Sequence, residues 1–341
     1  MSKFTVTHIT NPIDFKDDVI HFWDENLPGT PHARFDWMCE GNPAGPNDWF
    51  LAREEKSGDI AGMISIMPRI VTVSGDVFRI GILGDFMVSK EFRIFGPTIQ
   101  LVKTALSQYV ELGYKALYTV PNTESYKVLE RVGFRDLGSI YYLVKPLDIG
   151  YYLNGKMPRM LQPWITPVMQ LGLRMVSRET YVIPRGTFEI VTRADQSFES
   201  LWHTIRAENK DMIGDHGIEY LNWRFFSNPL FEFFILTYRD TDSSELLGYI
   251  VYTFTRGYLE IYDLVVADEK YIGQLIKRIV CIARQHNSRS IYISVYKNNP
   301  WLDRIKSYLF IDSQYKMNLY YHGDNAITSH PWYFFAGDRN I

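Results

Sequence analysis

Three residues that stand close together could hold an anion: Arg93, Gly96 and Thr98, near the end of a stretch that begins at Gly84. A guanidinium offers a fork of donors, and a glycine lets the backbone approach a phosphate closely. Ahead of them Ile80, Ile82, Phe86 and Val88 fall at period two, which predicts a buried strand. Beyond Thr98, the residues Ile99, Val102, Ala105, Leu106, Tyr109 and Leu112 recur at helical spacing, with Gly113 as the stop. A strand, a Gly-containing loop and a helix N-terminus present free amides, and the helix dipole adds roughly half a positive charge there. The same strand carries a carboxylate, Asp85, among apolar neighbours. Taken alone, the junction also fits an ordinary connection, and Asp85 also fits a buried, ion-paired side chain.

Downstream, residues 115–120 predict another buried strand, which Pro121 ends. Asn122 to Phe134 then predicts a short helix stopped by Gly133. Together the two stretches resemble the GNAT superfamily of acyl-CoA-dependent N-acyltransferases. The coenzyme loop V-x-x-x-x-R-x-x-G-x-G/A is matched by Val88, Arg93 and Gly96, with Thr98 in the last small position. The second motif, N-x-x-A/S followed by G-F, is matched by Asn122, Ser125, Gly133 and Phe134. The resemblance covers about Ile60 to Pro146.

The resemblance implies an α/β fold (an α+β mixed sheet), a mostly antiparallel twisted sheet flanked by helices, and with the internal repeat of the second half it leads to an expectation of two tandem GNAT-like domains of this kind. It implies acetyl-CoA as acyl donor, held by Met87, Val88, Arg93, Ile94, Phe95, Gly96, Thr98, Asn122 and Ser125, and no metal. A backbone amide near Met87 or Val88 would polarise the thioester carbonyl at a splay between strands, with pantetheine running along the same strand. Asp85 is then the first choice for the base that deprotonates the acceptor amine. Leu129 stands where many family members carry an acid tyrosine, which leaves Tyr126 and Tyr118 as candidates, or water. Pro97 removes one amide from the phosphate site. Asn122 reads first as a cap of the helix that starts at Thr123, a role that does not exclude contact with the coenzyme or an acceptor. His32 and Arg34 lie in the early loop that roofs the acceptor in this family, and are candidate substrate-binding residues.

Composition narrows the classes. The 341 residues are 46% apolar, enough for a sizeable core, and carry 36 basic against 39 acidic side chains. That near-balance argues against a general nucleic-acid partner. Cys39 and Cys281 have no partner at metal-ligand or disulfide-framework spacing, which fits a reducing cytoplasm. No stretch reaches the ~18 uninterrupted apolar residues of a membrane span, and the first residues lack a secretory apolar core. No G-x-S-x-G, P-loop or metal-ligand cluster is present in the sequence.

The second half repeats the plan of the first. Trp37 precedes Pro43 by six positions, as Trp223 precedes Pro229, and Gly62 and Gly248 follow nineteen positions after each proline. Asp85-Phe86-Met87-Val88 recurs as Asp263-Leu264-Val265-Val266, and Asn122 and Phe134 recur as Asn298 and Phe310. This predicts a coenzyme-binding domain over 1–147, a linker over 148–186, and a degenerate copy over 187–341. The second loop, Asp268 to Leu275, lacks an arginine and has two acids ahead of its helix, which would repel a pyrophosphate.

Between Ile149 and Arg178 the chain has Lys156, Arg159, Arg174 and Arg178 and no acid. A short amphipathic helix is predicted from Val168. It reads either as a linker packed across both domains, the favoured expectation, or as a surface element that touches membrane or a lipid-linked acceptor. The functional expectation is a cytoplasmic N-acetyltransferase acting on a primary amine, a small molecule or a sugar-linked precursor of a surface polysaccharide. The alternatives are transfer of a longer acyl or aminoacyl group, and a non-catalytic coenzyme-binding scaffold.

Overall fold

The computed structural model describes residues 3–340 apart from 94, 95 and 124, so Ile94 and Phe95 of the expected coenzyme loop lie outside the described residues. The strands of the first half are β1 (Phe4–Ile9), β2 (Asp48–Glu54), β3 (Ile60–Val73), β4 (Asp76–Val88), β5 (Ala116–Thr119) and β6 (Arg135–Pro146). Those of the second are β7 (Thr187–Val191), β8 (Ile213–Gly214), β9 (Phe234–Arg239), β10 (Leu246–Thr255), β11 (Tyr258–Val266), β12 (Ser290–Tyr296) and β13 (Ile311–Gly323). All belong to one mixed sheet in the order β1-β2-β3-β4-β5-β13-β6-β12-β11-β10-β9-β7, with β8 on the free edge of β3. The first six helices are α1 (Lys16–Asn26), α2 (Ala33–Cys39), α3 (Pro97–Gln108), α4 (Tyr126–Arg131), α5 (Ile149–Leu153) and α6 (Gln162–Val176). The others are α7 (Gln196–Glu208), α8 (Ile218–Leu221), α9 (Ile272–Gln285), α10 (Leu302–Lys306) and α11 (Asn325–Thr328).

Period-two alternation decides which core each side chain enters. On β3, Met63 and Met67 face a core shared by both halves, whereas Ile64 and Ile66 face a smaller one that includes Leu101, Val102 and Ala105 of α3. In the second half, Ile250, Leu264 and Ile293 pack with Leu275, Ile276 and Ile279 of α9. The sequence leads one to expect separate strands near 60–67, 70–80 and 82–88. Instead β3 and β4 run unbroken and pair from Gly62↔Val88 to Val73↔Asp76. Pro68 is tolerated because it lies beyond the last β2 pair, Asp48↔Ile66, so no ladder needs its missing donor. Its carbonyl accepts instead from Asn42 Nδ2 at 3.0 Å.

The last strand of each half pairs with strands of the other. β13 lies between β5 and β6, with Tyr320↔Thr119 on one side and Asn318↔Ser139 on the other. β6 in turn pairs with β12, from Ser290↔Pro146 to Tyr296↔Ile140. A sequence boundary near residue 147 therefore does not coincide with a boundary in the sheet.

The linker differs from the favoured expectation. α6 starts at Gln162, ahead of the predicted start, with Pro163 in its first turn, where no intrahelical donor is required. None of its residues is buried, so it does not pack across the two halves.

A reciprocal pair sits in the shared core. Trp37 Nε1 donates to the Trp223 carbonyl at 2.8 Å, Trp223 Nε1 donates to the Trp37 carbonyl at 2.7 Å, and the rings stack at 4.9 Å between centroids. Such mutual bonding is the signature of a two-fold-related contact. Trp37→Ala and Trp223→Ala should each cost about 3–5 kcal/mol in denaturant unfolding. The double variant should lose clearly less than the sum, because each ring's stacking partner is already gone in the single variant, while the backbone carbonyls that accept from the indoles remain. Additive losses would mean that the rings act independently.

Candidate functional site

The site forms where β4 departs from regular pairing. Met63 pairs with Met87, and Ser65 with Gly84, so Ile64 alone faces Asp85 and Phe86. This is a β-bulge, which bends and twists the strand locally. Asp85 has φ +48°, a left-handed conformation that costs a non-glycine residue on the order of 1 kcal/mol. Its carboxylate is held on both oxygens. Arg34 Nη1 of α2 donates to Oδ1 at 2.6 Å, and Ser65 Oγ of β3 donates to Oδ2 at 2.8 Å. The Arg34 and Asp85 side chains are 6% and 3% exposed.

On its other edge β4 is paired with β5 only at Gly81↔Leu117 and Ile82↔Tyr118. Among the described residues it has no strand partner on that side beyond Ile82. The strands part there, and a cavity of about 270 Å³ fills the opening. Its walls come from Leu83 to Phe86, from Thr119 to Asn122 with Ser125 and Leu129, and from Met317, Arg339 and Asn340. A second cavity of about 410 Å³ shares Pro121, Asn122 and Met317 with it and adds Tyr126, Tyr315 and Tyr320. A larger dish of about 640 Å³ lies beside Ser89 to Phe92. Asp18, Glu25, Asp59 and Glu91 line it against Arg53, Lys90 and His21, and Arg53 is already paired with Asp18, so carboxylates predominate and it suits an anion poorly.

Downstream of the bulge the chain enters the expected strand-loop-helix junction. Gly96 has φ +93°, which only glycine adopts at no steric cost, and it is the N-cap of α3. The first turn of α3 carries Pro97 and no acid, so the remaining free amides meet no competing carboxylate. Arg93 is exposed, with Nε donating to the Val88 carbonyl at 3.3 Å. A left-handed glycine, an acid-free helix start, an exposed arginine and an unpaired strand edge beside a cavity are chemically suited to a pyrophosphate joined to an extended amide chain.

The other sequence-derived residues fall as follows. Met87 and Val88 pair with Met63 and Gly62, so the bulge lies just upstream of the expected amide donor. Asn122 Oδ1 accepts from Ser125 N at 2.9 Å and Ser125 Oγ at 2.8 Å, which supports the turn into α4. Tyr126 lines the second cavity and is not in the wall of the first. Tyr118 does not serve as an acid from where it stands. It is fully buried, its hydroxyl donates to the Asp338 carbonyl at 2.7 Å, and burial pushes its pKa well above the ordinary value. Arg34 is the partner of Asp85 at the cavity floor, whereas His32 is exposed, with Nε2 at 3.0 Å from Asp24 Oδ1.

Arg339 and Asn340 had no signal in the sequence, yet both line the cavity. The Asn340 amide lies so close to Gly84 that a Cβ there would strike it. The segment leading to them is fixed by Asp338. Arg69 Nη2 donates to Asp338 Oδ1 at 2.9 Å, and Arg224 Nε donates to the Gly337 carbonyl at 3.0 Å.

The counterpart in the second half is closed. β11 pairs with β12 through Ile261↔Ile293 and then separates, but the chain's own C-terminal segment enters the gap. Val295 bridges Phe335, and Tyr296 N donates to the Phe334 carbonyl at 3.2 Å. Ahead of α9 the Asp268 carboxylate accepts from Lys270 N, and Gln274 and Lys277 of α9 donate to the carbonyls of Ile183 and Val182. Asp263, matching Asp85 in the sequence repeat, is bonded to His216 Nε2 at 2.9 Å and lines no cavity described here.

No family model matches the sequence, and no curated protein matches it. Solved structures do match. A GCN5-related N-acetyltransferase from Kribbella flavida is 15% identical with a TM-score of 0.60, covering 95% of this chain and 72% of that one. An Enterococcus faecalis protein described as a probable N-acyltransferase is 11% identical with a TM-score of 0.66, covering 94% and 72%. N-Myristoyltransferase from Saccharomyces cerevisiae, solved with myristoyl-CoA, is 12% identical with a TM-score of 0.59, covering 94% and 80%. The chain thus has the fold of the GCN5-related N-acetyltransferases over nearly its whole length.

Proposed function

We propose that this protein is an acyl-CoA-dependent N-acyltransferase whose single coenzyme site lies in the first half. The observation that carries this reading is the splay of β4 from β5 near the Asp85 bulge, which opens a cavity on the strand that leads into the Gly96–α3 junction. Arg93, Gly96 and Thr98 would hold the pyrophosphate, and the β4 edge from the bulge through Met87 and Val88 would hold pantetheine. When bound, the coenzyme supplies the activated acyl group. The amine attacks the thioester carbon, the C–S bond breaks, and the thiolate takes up a proton as the ammonium gives one up. An amide at the bulge would polarise the carbonyl. Asp85 lines the cavity and would receive the amine's proton when one of its oxygens turns from Ser65 or Arg34.

Acetyl-CoA is the proposed donor and an amino sugar of a surface-polysaccharide precursor the proposed acceptor, in a cytoplasmic enzyme of two GNAT-like copies (1–147 and 187–341) with exchanged last strands. The second, aromatic-lined cavity beyond Met317 favours a longer acyl chain as the competing reading. Thiol release from acyl-CoA donors of increasing chain length, with amino sugars as acceptors, decides between them. Release fastest with acetyl-CoA supports the first reading, a rate rising with chain length supports the second, and no release with any donor removes both.

Two substitutions test the residue assignments. Arg93→Glu places a negative charge beside the pyrophosphate and removes a charged donor, so coenzyme affinity should fall by about 2 kcal/mol or more in calorimetry. Unchanged affinity, or a second stoichiometric site in the native protein, would defeat the assignment. Asp85→Asn should keep coenzyme affinity while kcat falls about 10²–10⁴-fold. Normal turnover combined with a lowered melting temperature would mean that Asp85 only holds the bulge.

A further inference from the structure

α6 is bolted to the protein on one side and apolar on the other. Gln170 Nε2 donates to the Leu147 carbonyl at 2.8 Å, and its Oε1 accepts from Ile149 N at 3.0 Å. Just past the C-terminal end Ser177 is buried, and Glu179 meets Lys145 Nζ at 3.0 Å with both charges inside the protein. The Tyr181 hydroxyl donates to the Met175 carbonyl, one of the helix's last, at 2.6 Å. The helix is therefore held in a fixed orientation.

The face it turns outward is the wrong one for a water-exposed surface. Trp164, Val168, Leu171 and Met175 recur at helical spacing and are all exposed, with Trp164 at 79% and neighbouring Met160 at 87%. Apolar side chains on an exposed helix stripe mark a surface meant to be covered. The surrounding charge says by what. From Ile149 to Arg178 the charged residues are Lys156, Arg159, Arg174 and Arg178, all exposed, in a chain whose net charge is −3. A second copy would bring the same cations against these across a two-fold contact, which repels. An anionic lipid surface complements both the stripe and its rim. At fifteen residues α6 is about 22 Å long, too short to cross a bilayer and of a length to lie in its interface.

We propose that the outer face of α6, with its flanking cations, docks this protein on anionic lipid membrane. The interaction needs no acyl donor, so its test stands apart from the proposed activity. In vesicle flotation, the full-length protein should rise with phosphatidylcholine–phosphatidylglycerol vesicles, stay behind with phosphatidylcholine alone, and bind more weakly as salt is raised. Trp164→Glu combined with Leu171→Glu should cut partitioning at least about tenfold, with the melting temperature unchanged because both side chains are already in water. Lys156→Glu with Arg159→Glu should remove the preference for anionic vesicles. The proposal is overturned by absence of flotation, by binding that survives the stripe substitutions, or by a dimer in size exclusion that those substitutions dissociate.

Discussion

The buried carboxylate of Asp338 fixes the C-terminal segment, and both halves depend on where that segment runs. Arg69 of β3 donates to one oxygen, Phe335 N donates to the other, and the carbonyl of the same residue takes the Tyr118 hydroxyl from β5. Arg69 also reaches the Asp215 carbonyl and stacks 3.6 Å from the Tyr220 ring centroid. Breaking such a pair by removing one partner leaves a buried guanidinium uncompensated, at a cost of about 3–5 kcal/mol. Strands from the first half, a turn from the second and the C-terminal segment thus meet at one charge pair. The pair makes the chain's end part of the core.

One segment then has opposite effects on two similar clefts. Phe334 and Phe335 fill the gap between β11 and β12, while Arg339 and Asn340, a few residues on, wall the gap between β4 and β5 and leave it open. The exchange of β6 and β13 adds a second tie. The strand carrying Met317 into the first cavity belongs to the second half by sequence. The wall of the candidate site is therefore assembled from both ends of the chain, and neither half alone would present it.

Much of this was legible where the signal is local. Period-two alternation marked β4 as a strand, but Ile80 and Ile82 face the shared core while Phe86 and Val88 face the smaller one, because the bulge between them reverses the alternation. Gly96 starts α3 as expected, whereas the helix ends at Gln108, short of the predicted stop at Gly113. The repeat spacing of Trp37 and Trp223 marked residues that bond to each other. The break expected between residues 67 and 70 is absent, because β3 pairs continuously with β4 there and a strand's own sequence does not record which partner it will meet. The placement of β13 was not readable either, since alternation fixes which face is buried but not which distant strand supplies the partner. Arg339 and Asn340 follow that placement and were missed for the same reason. For α6, periodicity revealed an amphipathic helix without revealing which face the protein would keep.

The two aspartates at matching repeat positions show how little separates a structural carboxylate from one at a cavity. In β11 the register skips at Tyr262, so Asp263 still pairs with Val251 and sits in the ladder, fully engaged by His216 and the Leu264 amide. In β4 the extra residue falls on Asp85 itself, which leaves the ladder, takes a left-handed backbone and lines the opening between strands. Because side chains alternate, moving a bulge by one position changes which residue is freed from the sheet and which way the following strand is aimed. The left-handed strain at Asp85 is balanced by Arg34 and Ser65, one from a helix and one from the neighbouring strand. The same bulge turns β4 away from β5. The carboxylate's position and the opening beside it therefore have one cause.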